Sequence, residues 1–319
     1  MNAIGIDLGG TAIKAGVVDE TGKILVKGSR PTGVERGHEA TIRDMAGLSL
    51  ELVEKCGLTL DDIDAVGIGI PGVINNDGVV PLLTNLFWHD VPLIKRMRSY
   101  IDKPVHVAND ATVAAFAEYI AGVATGTRSS VFVTLGTGLG GGVVLDGKPF
   151  TGSNGVGTEI GHMILVLGGV LCTCGNKGCW ERYASATALI RMGRERMAAD
   201  PEGMIAREAK GNAENVTAKL VVDCAKAGDR GAVQVFDDYV YYLAAGLANM
   251  VNVYDPEVIA LGGGVSAAGS FLLDAVRKKL PELIFYKTMP YARVELATLG
   301  NDAGLIGAAM LAMRAEKPA

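Results

Sequence analysis

The residues best suited to chemistry in this 319-residue chain are gathered in one glycine-rich stretch, GTEIGHMILVLGGVLCTCGNKGCWE, residues 157–181. Cys172, Cys174 and Cys179 fall within eight residues, and His162 lies ten residues upstream of the first. Three thiolates and one imidazole are the ligand types and the number of a closed tetrahedral zinc site. Four protein ligands leave no open position for a substrate water, so the ion would be structural, tying turns together and fixing the flanking carboxylates Glu159 and Glu181. A disulfide fits less well: the cysteine count, five, is odd, and nothing marks the chain as secreted. Cys56 and Cys224 sit in helix-like apolar contexts and read as inert.

Three glycine turns follow apolar runs. The opening AIGIDLGGTAIKAGVVDETGKILVKG reads as strand, tight turn, strand and hairpin. Gly9 and Gly10 leave room for a phosphate to reach backbone amides, Thr11 and Lys14 could assist, and Asp7 would supply a carboxylate to a metal–phosphate complex; alone, the glycines could equally be turn residues. Residues 129–150, SSVFVTLGTGLGGGVVLDGKPF, repeat the layout of residues 3–24 and place a second turn at Gly136, Thr137 and Gly138. Two half-molecules with equivalent phosphate turns would face one another. Gly136, Gly138 and Gly141 formally satisfy GxGxxG, but a strand and hairpin follow where a dinucleotide fold needs a helix, which sets NAD aside. No GxxxxGK[ST] occurs, so P-loop NTPases are excluded as well. A third turn, Gly262, Gly263 and Gly264, follows a strand at 258–261 and precedes a helix expected from about Ala268, a setting suited to a nucleotide's phosphate or sugar.

A further carboxylate ends a strand. PVHVANDATVAAFAEYIAG predicts a strand over 104–108 that stops at Asn109 and Asp110, then a helix from Ala111 to near Gly122. Carboxyl edges of open α/β sheets are where ligands collect, which makes Asp110 a candidate general base. Its alternative job is a helix N-cap, which Asp favours. The buried strand predicted at 64–74 carries Pro71 and Gly72, a point of close backbone approach. Asn85, in VPLLTNLFWHDVPL, could sit in a packed loop or read hydroxyls, and the residues alone leave both open.

The elements that must position these groups are those of a large globular protein. At this length two domains are expected. A hydrophobic fraction of 49% with 43 glycines argues for a well-buried fold rich in turns. A net charge of -5 gives no footprint for nucleic acid, and no apolar run nears the roughly 20 residues that span a bilayer. MNAIGIDLGG has no basic n-region, so a cytoplasmic protein is expected. An amphipathic helix is predicted at 38–56, mainly helices beyond Glu181, a long one over 232–253, and an alanine-rich one over 302–315 packed back on a sheet. With no linker in the chain, the expected division is residues 1–118 joined by 302–319, and 119–301 carrying the metal cluster.

IDLGGT at 6–11, LGTGLGGG at 135–142, GTEIGH at 157–162, CTCGNKGCWE at 172–181 and ALGGGV at 260–265 resemble, in order and spacing, the ROK family of bacterial sugar kinases and repressors. The resemblance spans nearly the whole chain, and TNLFWHDVPL and WERYASATAL are similar to that family's glucokinase branch. It implies an actin-like, ribonuclease-H-like ATPase fold of two α/β domains around a central cleft, and phosphorylation of glucose by ATP with Mg2+. Asp110 would take the proton of the 6-hydroxyl. Gly72, Asn85, Asn109, Glu159, His162 and Glu181 would surround the hexose, with His162 serving metal and sugar. Asp7, Gly9, Gly10, Thr11, Lys14, Gly136, Thr137 and Gly138 would hold ATP phosphates, and Gly263 and Gly264 would face the adenosine. A homodimer is expected from the family habit. Kinases for another hexose, such as N-acetylmannosamine or fructose, are the nearest alternatives. A sugar-sensing repressor would need a helix-turn-helix segment before the first strand, where this sequence leaves no room, and a binding-only sensor would not need Asp7, Thr11 and Asp110 together.

Overall fold

The computed structural model describes residues 1–75 and 77–316. The chain runs β1 (Asn2–Leu8), β2 (Ala12–Asp19), β3 (Ile24–Pro31), α1 (Gly37–Lys55), β4 (Ala65–Ile70), β5 (Val80–Leu83), β6 (Trp88–Val91), α2 (Leu93–Arg98), β7 (Val105–Asn109) and α3 (Asp110–Ala121). It continues with β8 (Ser129–Leu135), β9 (Leu139–Leu145), β10 (Lys148–Phe150), α4 (Glu181–Ala184), α5 (Ala186–Ala199), α6 (Met204–Glu208), α7 (Ala218–Lys226) and α8 (Arg230–Tyr254). It closes with β11 (Val258–Gly262), α9 (Ser270–Leu283), β12 (Arg293–Leu296) and α10 (Ala303–Ala315).

The repeat seen in the sequence is a repeat of topology. One sheet has the order β3-β2-β1-β4-β7 and the other β10-β9-β8-β11-β12. In the first, β1 pairs antiparallel with β2 and parallel with β4, which pairs parallel with β7. In the second, β11 lies parallel to both β8 and β12, and β10 antiparallel to β9. Two compact units result: Met1–Arg128, Gly142–Thr158 and the chain from Thr298 onward form one, and Ser129–Gly141 with Glu159–Ala297 form the other.

In the first unit all six residues of β4, AVGIGI, are buried, as befits a strand covered on both faces. The helix on one face is α10, which lies unusually close. A Cβ at Gly5 would come within 1.9 Å of the Leu305 carbonyl oxygen, and one at Gly67 within 1.8 Å of that of Ala308. Gly5 and Gly67 therefore set the distance at which an alanine-rich helix can seat its backbone on the sheet. The expected packing of the last helix is realised, with Leu305, Ile306, Ala309 and Met310 in a core shared with Phe116 and Ala117 of α3.

Several expected elements differ in detail. The strand expected over 64–74 stops at Ile70, because Pro71 has no N–H to give a ladder. The stretch around Asn85 forms a hairpin of its own, β5 with β6, closed by a 3-10 turn at Thr84–Leu86 and a left-handed Phe87. The helical stretch after Glu181 breaks at Ser185, whose hydroxyl caps α5 by accepting from the Ala188 amide. A 3-10 turn, Gly264–Ala268, separates the third glycine turn from α9.

Candidate active site

In the second unit the chemistry-bearing residues centre on the cysteine knuckle. Its backbone is two small bridged loops, with Ile164 opposite Cys179 and Leu171 opposite Lys177. Gly178 is held at φ +89°, and a Cβ there would lie 1.7 Å from the Val166 carbonyl oxygen, so only glycine closes the loop. This folding brings one ligand atom from each of His162, Cys172, Cys174 and Cys179 within 4.8 Å of one another. The Cys174 and Cys179 sulfurs are 3.6 Å apart, and Cys172 Sγ is 3.6 Å from His162 Nδ1. A zinc tetrahedron with Zn–S near 2.3 Å and Zn–N near 2.0 Å has edges of about 3.8 and 3.6 Å, so the quartet fits such an ion. Burial pushes the Cys172 thiol up to about 12 and raises Cys179, whereas a hydrogen bond from the Asn176 amide draws Cys174 down to about 7. Thiols this close are a donor set that a divalent cation would bring to the thiolate state together.

Glu181 joins the knuckle to the second glycine turn. Cys172 Sγ donates to Glu181 Oε1 at 3.1 Å, and a Cβ on Gly138 would come within 2.8 Å of Glu181 Oε2. The turn itself is fastened by its carbonyls: Gly136 O accepts from the Ala186 amide at 2.8 Å, and Thr137 O from the Thr187 hydroxyl at 2.6 Å. The third turn closes on the same place, since a Cβ on Gly263 would lie 2.6 Å from the Leu135 amide nitrogen. Beside Gly264 opens a cavity of about 310 Å³ lined by Ala218, Val222, Lys226, Val265 and Ala268. Glu159 is exposed at the start of the 3-10 turn that ends in His162, and its carbonyl accepts from the His162 amide.

The first unit carries the other expected residues. Lys14 Nζ lies 3.3 Å from Asp7 Oδ2, a half-buried pair beside the first turn. The buried Thr32 fastens that turn from behind, its hydroxyl donating to Gly9 O at 2.7 Å and its amide to Thr11 O. Gly10 and Thr11 are exposed, and the face where Gly10 lacks a side chain meets nothing within 4 Å. At the end of β7 Asn109 is the N-cap residue, its Oδ1 accepting from the amides of Ala111 at 2.9 Å and Thr112 at 3.3 Å, while Asp110 Oδ1 also accepts from the Ala111 amide at 2.8 Å. Asp110 is the first helical residue, exposed, at the N-terminus of α3, where the helix dipole favours an anion. Asn109 Nδ2 donates to Gly72 O at 3.4 Å, which brings two of the expected residues together. Gly72 also packs against Leu83, at the end of the β5 strand that leads to the exposed Asn85.

Three positioning groups escape a reading of the sequence. Trp180 is wholly buried, donates from Nε1 to Tyr242 O at 2.9 Å, and presses on α8 where Gly246 has no side chain. The Tyr183 hydroxyl accepts from the Val170 amide at 2.8 Å, and the Tyr239 hydroxyl donates to Ala184 O at 2.9 Å. Together they pin both ends of the knuckle and the start of α4, where Glu181 stands. Only the contact with α8, some 60 residues away, makes their role visible.

Two sheets of one topology, each with glycine turns at strand ends, define a mixed α/β protein of the actin-like ATPase class. The model of the ROK family matches residues 3–315, and the chain belongs to that family. The glucokinase of Thermotoga maritima is 38% identical over 313 residues, covering 98% of this chain and 97% of that protein. A ROK family glucokinase from Streptomyces griseus, solved with glucose and AMPPNP, matches with a TM-score of 0.82 and 37% identity over 98% of this chain and all of that one. The ROK hexokinase of Thermus thermophilus matches with a TM-score of 0.85 and 33% identity over 99% of both chains. Among the described residues no helix is long and apolar enough to cross a membrane.

Proposed function

We propose that this chain is an ATP-dependent hexose kinase that phosphorylates glucose at its 6-hydroxyl. The observation that carries the reading is Glu181, a carboxylate in contact with both the metal-type quartet and the second glycine turn. A group so placed could grip a sugar hydroxyl next to the phosphate that is transferred. The full-length likeness to glucokinases supplies the choice of sugar.

In this reading the 6-oxygen attacks the γ-phosphorus in line as the bond to the bridging oxygen of ADP breaks. The proton of the 6-hydroxyl passes to the Asp110 carboxylate. Phosphoryl transfer needs little covalent work from protein, so positioning and charge neutralisation dominate, with a base contributing typically ~10²–10⁴-fold. Gly72, Asn85, Asn109, Glu159, His162 and Glu181 would surround the hexose, charged acceptors making hydrogen bonds roughly twice as strong as neutral ones. Gly9, Gly10, Thr11, Lys14, Gly136, Thr137 and Gly138 would hold phosphates, and Asp7 would hold Mg2+, which supplies charge neutralisation when bound with ATP. Gly263 and Gly264 would meet the adenosine at the cavity beside them. His162, Cys172, Cys174 and Cys179 would hold zinc as a structural ion. The protein is expected to act in the cytoplasm as a homodimer.

The test is ADP release with a panel of hexoses. Glucose should give the highest kcat/KM; a clear preference for N-acetylmannosamine or fructose would replace the sugar while keeping the reaction. ATP consumption with none of them would remove the kinase reading.

A further inference from the structure

The far end of α3 holds a construction that substrate binding does not explain. Glu118 is 1% exposed, the one charged side chain fully buried among the described residues. Its Oε1 accepts from the amides of Thr298 and Leu299, each at 2.9 Å. Its Oε2 accepts from the Val123 amide at 3.1 Å and the Thr298 hydroxyl at 3.3 Å. No side chain would fit at Gly122, where a Cβ would fall 1.9 Å from Oε2. An anion near the C-terminal end of a helix opposes the helix dipole, and a buried charge is costly unless fully bonded. Well-packed apolar residues often serve stability as well or better at such places. The carboxylate is therefore better explained by what it holds.

It holds the places where the chain changes unit. After Val123 a short loop runs to Arg128, the last residue before the first crossing. That loop is stitched by the hydroxyls of Thr125 and Thr127, donating to Gly122 O at 2.8 Å and Ala124 O at 2.7 Å. Thr298 and Leu299 are the first residues after the last crossing. One carboxylate thus fastens the first exit and the final return to the helix whose opposite end is Asp110.

We propose that Glu118 is a positioning residue for turnover: by tying the segments where the chain leaves and re-enters the first unit to the end of α3, it holds that helix, and with it Asp110 at the opposite end, in place for the sugar. Misplacing a reacting group by about 1 Å through a change far from the chemistry can cost on the order of 10²-fold in rate. The proposal rests on the kinase reading above. The test compares Glu118→Gln and Glu118→Leu with Met310→Ala, a core substitution on α10 outside any substrate contact. The readouts are kcat and KM for glucose and ATP, melting temperature, and hydrogen exchange at Val123, Thr298 and Leu299.

Glu118→Leu should speed exchange at those amides and lower kcat by about tenfold, with the ATP KM within about twofold. Glu118→Gln keeps an acceptor for Thr298 and Leu299 but turns an amide donor toward Val123, so its losses should be intermediate. Met310→Ala should melt earlier yet keep kcat within about twofold. Glu118 variants with parental kcat, or a Met310→Ala variant that loses as much kcat as they do, would overturn the proposal by leaving Glu118 a purely structural role. If Glu118→Leu fails to fold, the Glu118→Gln and Met310→Ala pair decides alone. A parent without hexose phosphorylation would instead sink the kinase reading, a result distinct from variants that match an active parent.

Discussion

The first and second glycine turns stand on sheets of the same strand order, yet they carry different chemistry. The first brings its own charges, Asp7 and Lys14, from the two strands that flank it. The second, with Thr134 at the position matching Asp7 and glycines over much of β9, has no charged side chain of its own. It gains a carboxylate from Glu181, 43 residues further on, delivered by the knuckle inserted after β10. A duplicated frame fixes where turns fall, and inserted loops decide what those turns can do.

Breaking the first half should have the largest effect on rate. Asp110→Asn should lower kcat by about 10²–10⁴-fold while glucose binding and zinc content stay near those of the parent. Turnover retained at the parental rate would show that the end of α3 is not where the proton goes.

Breaking the support of the second half should act on stability first. Cys174 is the exposed member of the quartet, so Cys174→Ser removes a ligand with little loss of packing. Zinc measured in the purified variant should fall to near zero, and its thermal unfolding should shift down by several kcal/mol of stability, as for other structural zinc sites. A parent protein that is folded and zinc-free would remove the metal assignment altogether.

The finest division between the halves is read from KM. Glu181→Gln keeps the shape and removes the charge, and hydrogen bonds to charged groups are worth about 1.5–3 kcal/mol. The glucose KM should rise by about ten- to a hundredfold with the ATP KM little changed. A rise in the ATP KM instead would assign the carboxylate, and with it the second turn, to the nucleotide alone.

What the sequence showed and what it hid follow from range. The glycine turns, the cysteine spacing and Asp110 after its strand are local patterns, so their elements were legible within a few residues. Two adjacent cap-forming residues hid which one caps: Asn109 takes the role because its backbone is still extended, at φ -61° and ψ 144°. Glu118, in the run AFAEYIA, reads as an ordinary exposed helical position. Its burial comes from residues 180 positions away. The contact of Glu181 with Gly138 and the grip of Trp180 on α8 are likewise products of tertiary folding, for which no window along the chain carries a signal.

The two tryptophans of the chain, Trp88 and Trp180, are both buried, and each belongs to a different unit. Indole emission depends on its immediate surroundings, so a pair of single-tryptophan variants would give each half its own optical channel. Trp180, next in sequence to Cys179 and Glu181, would then report events at the knuckle in real time, without a label and without waiting for product.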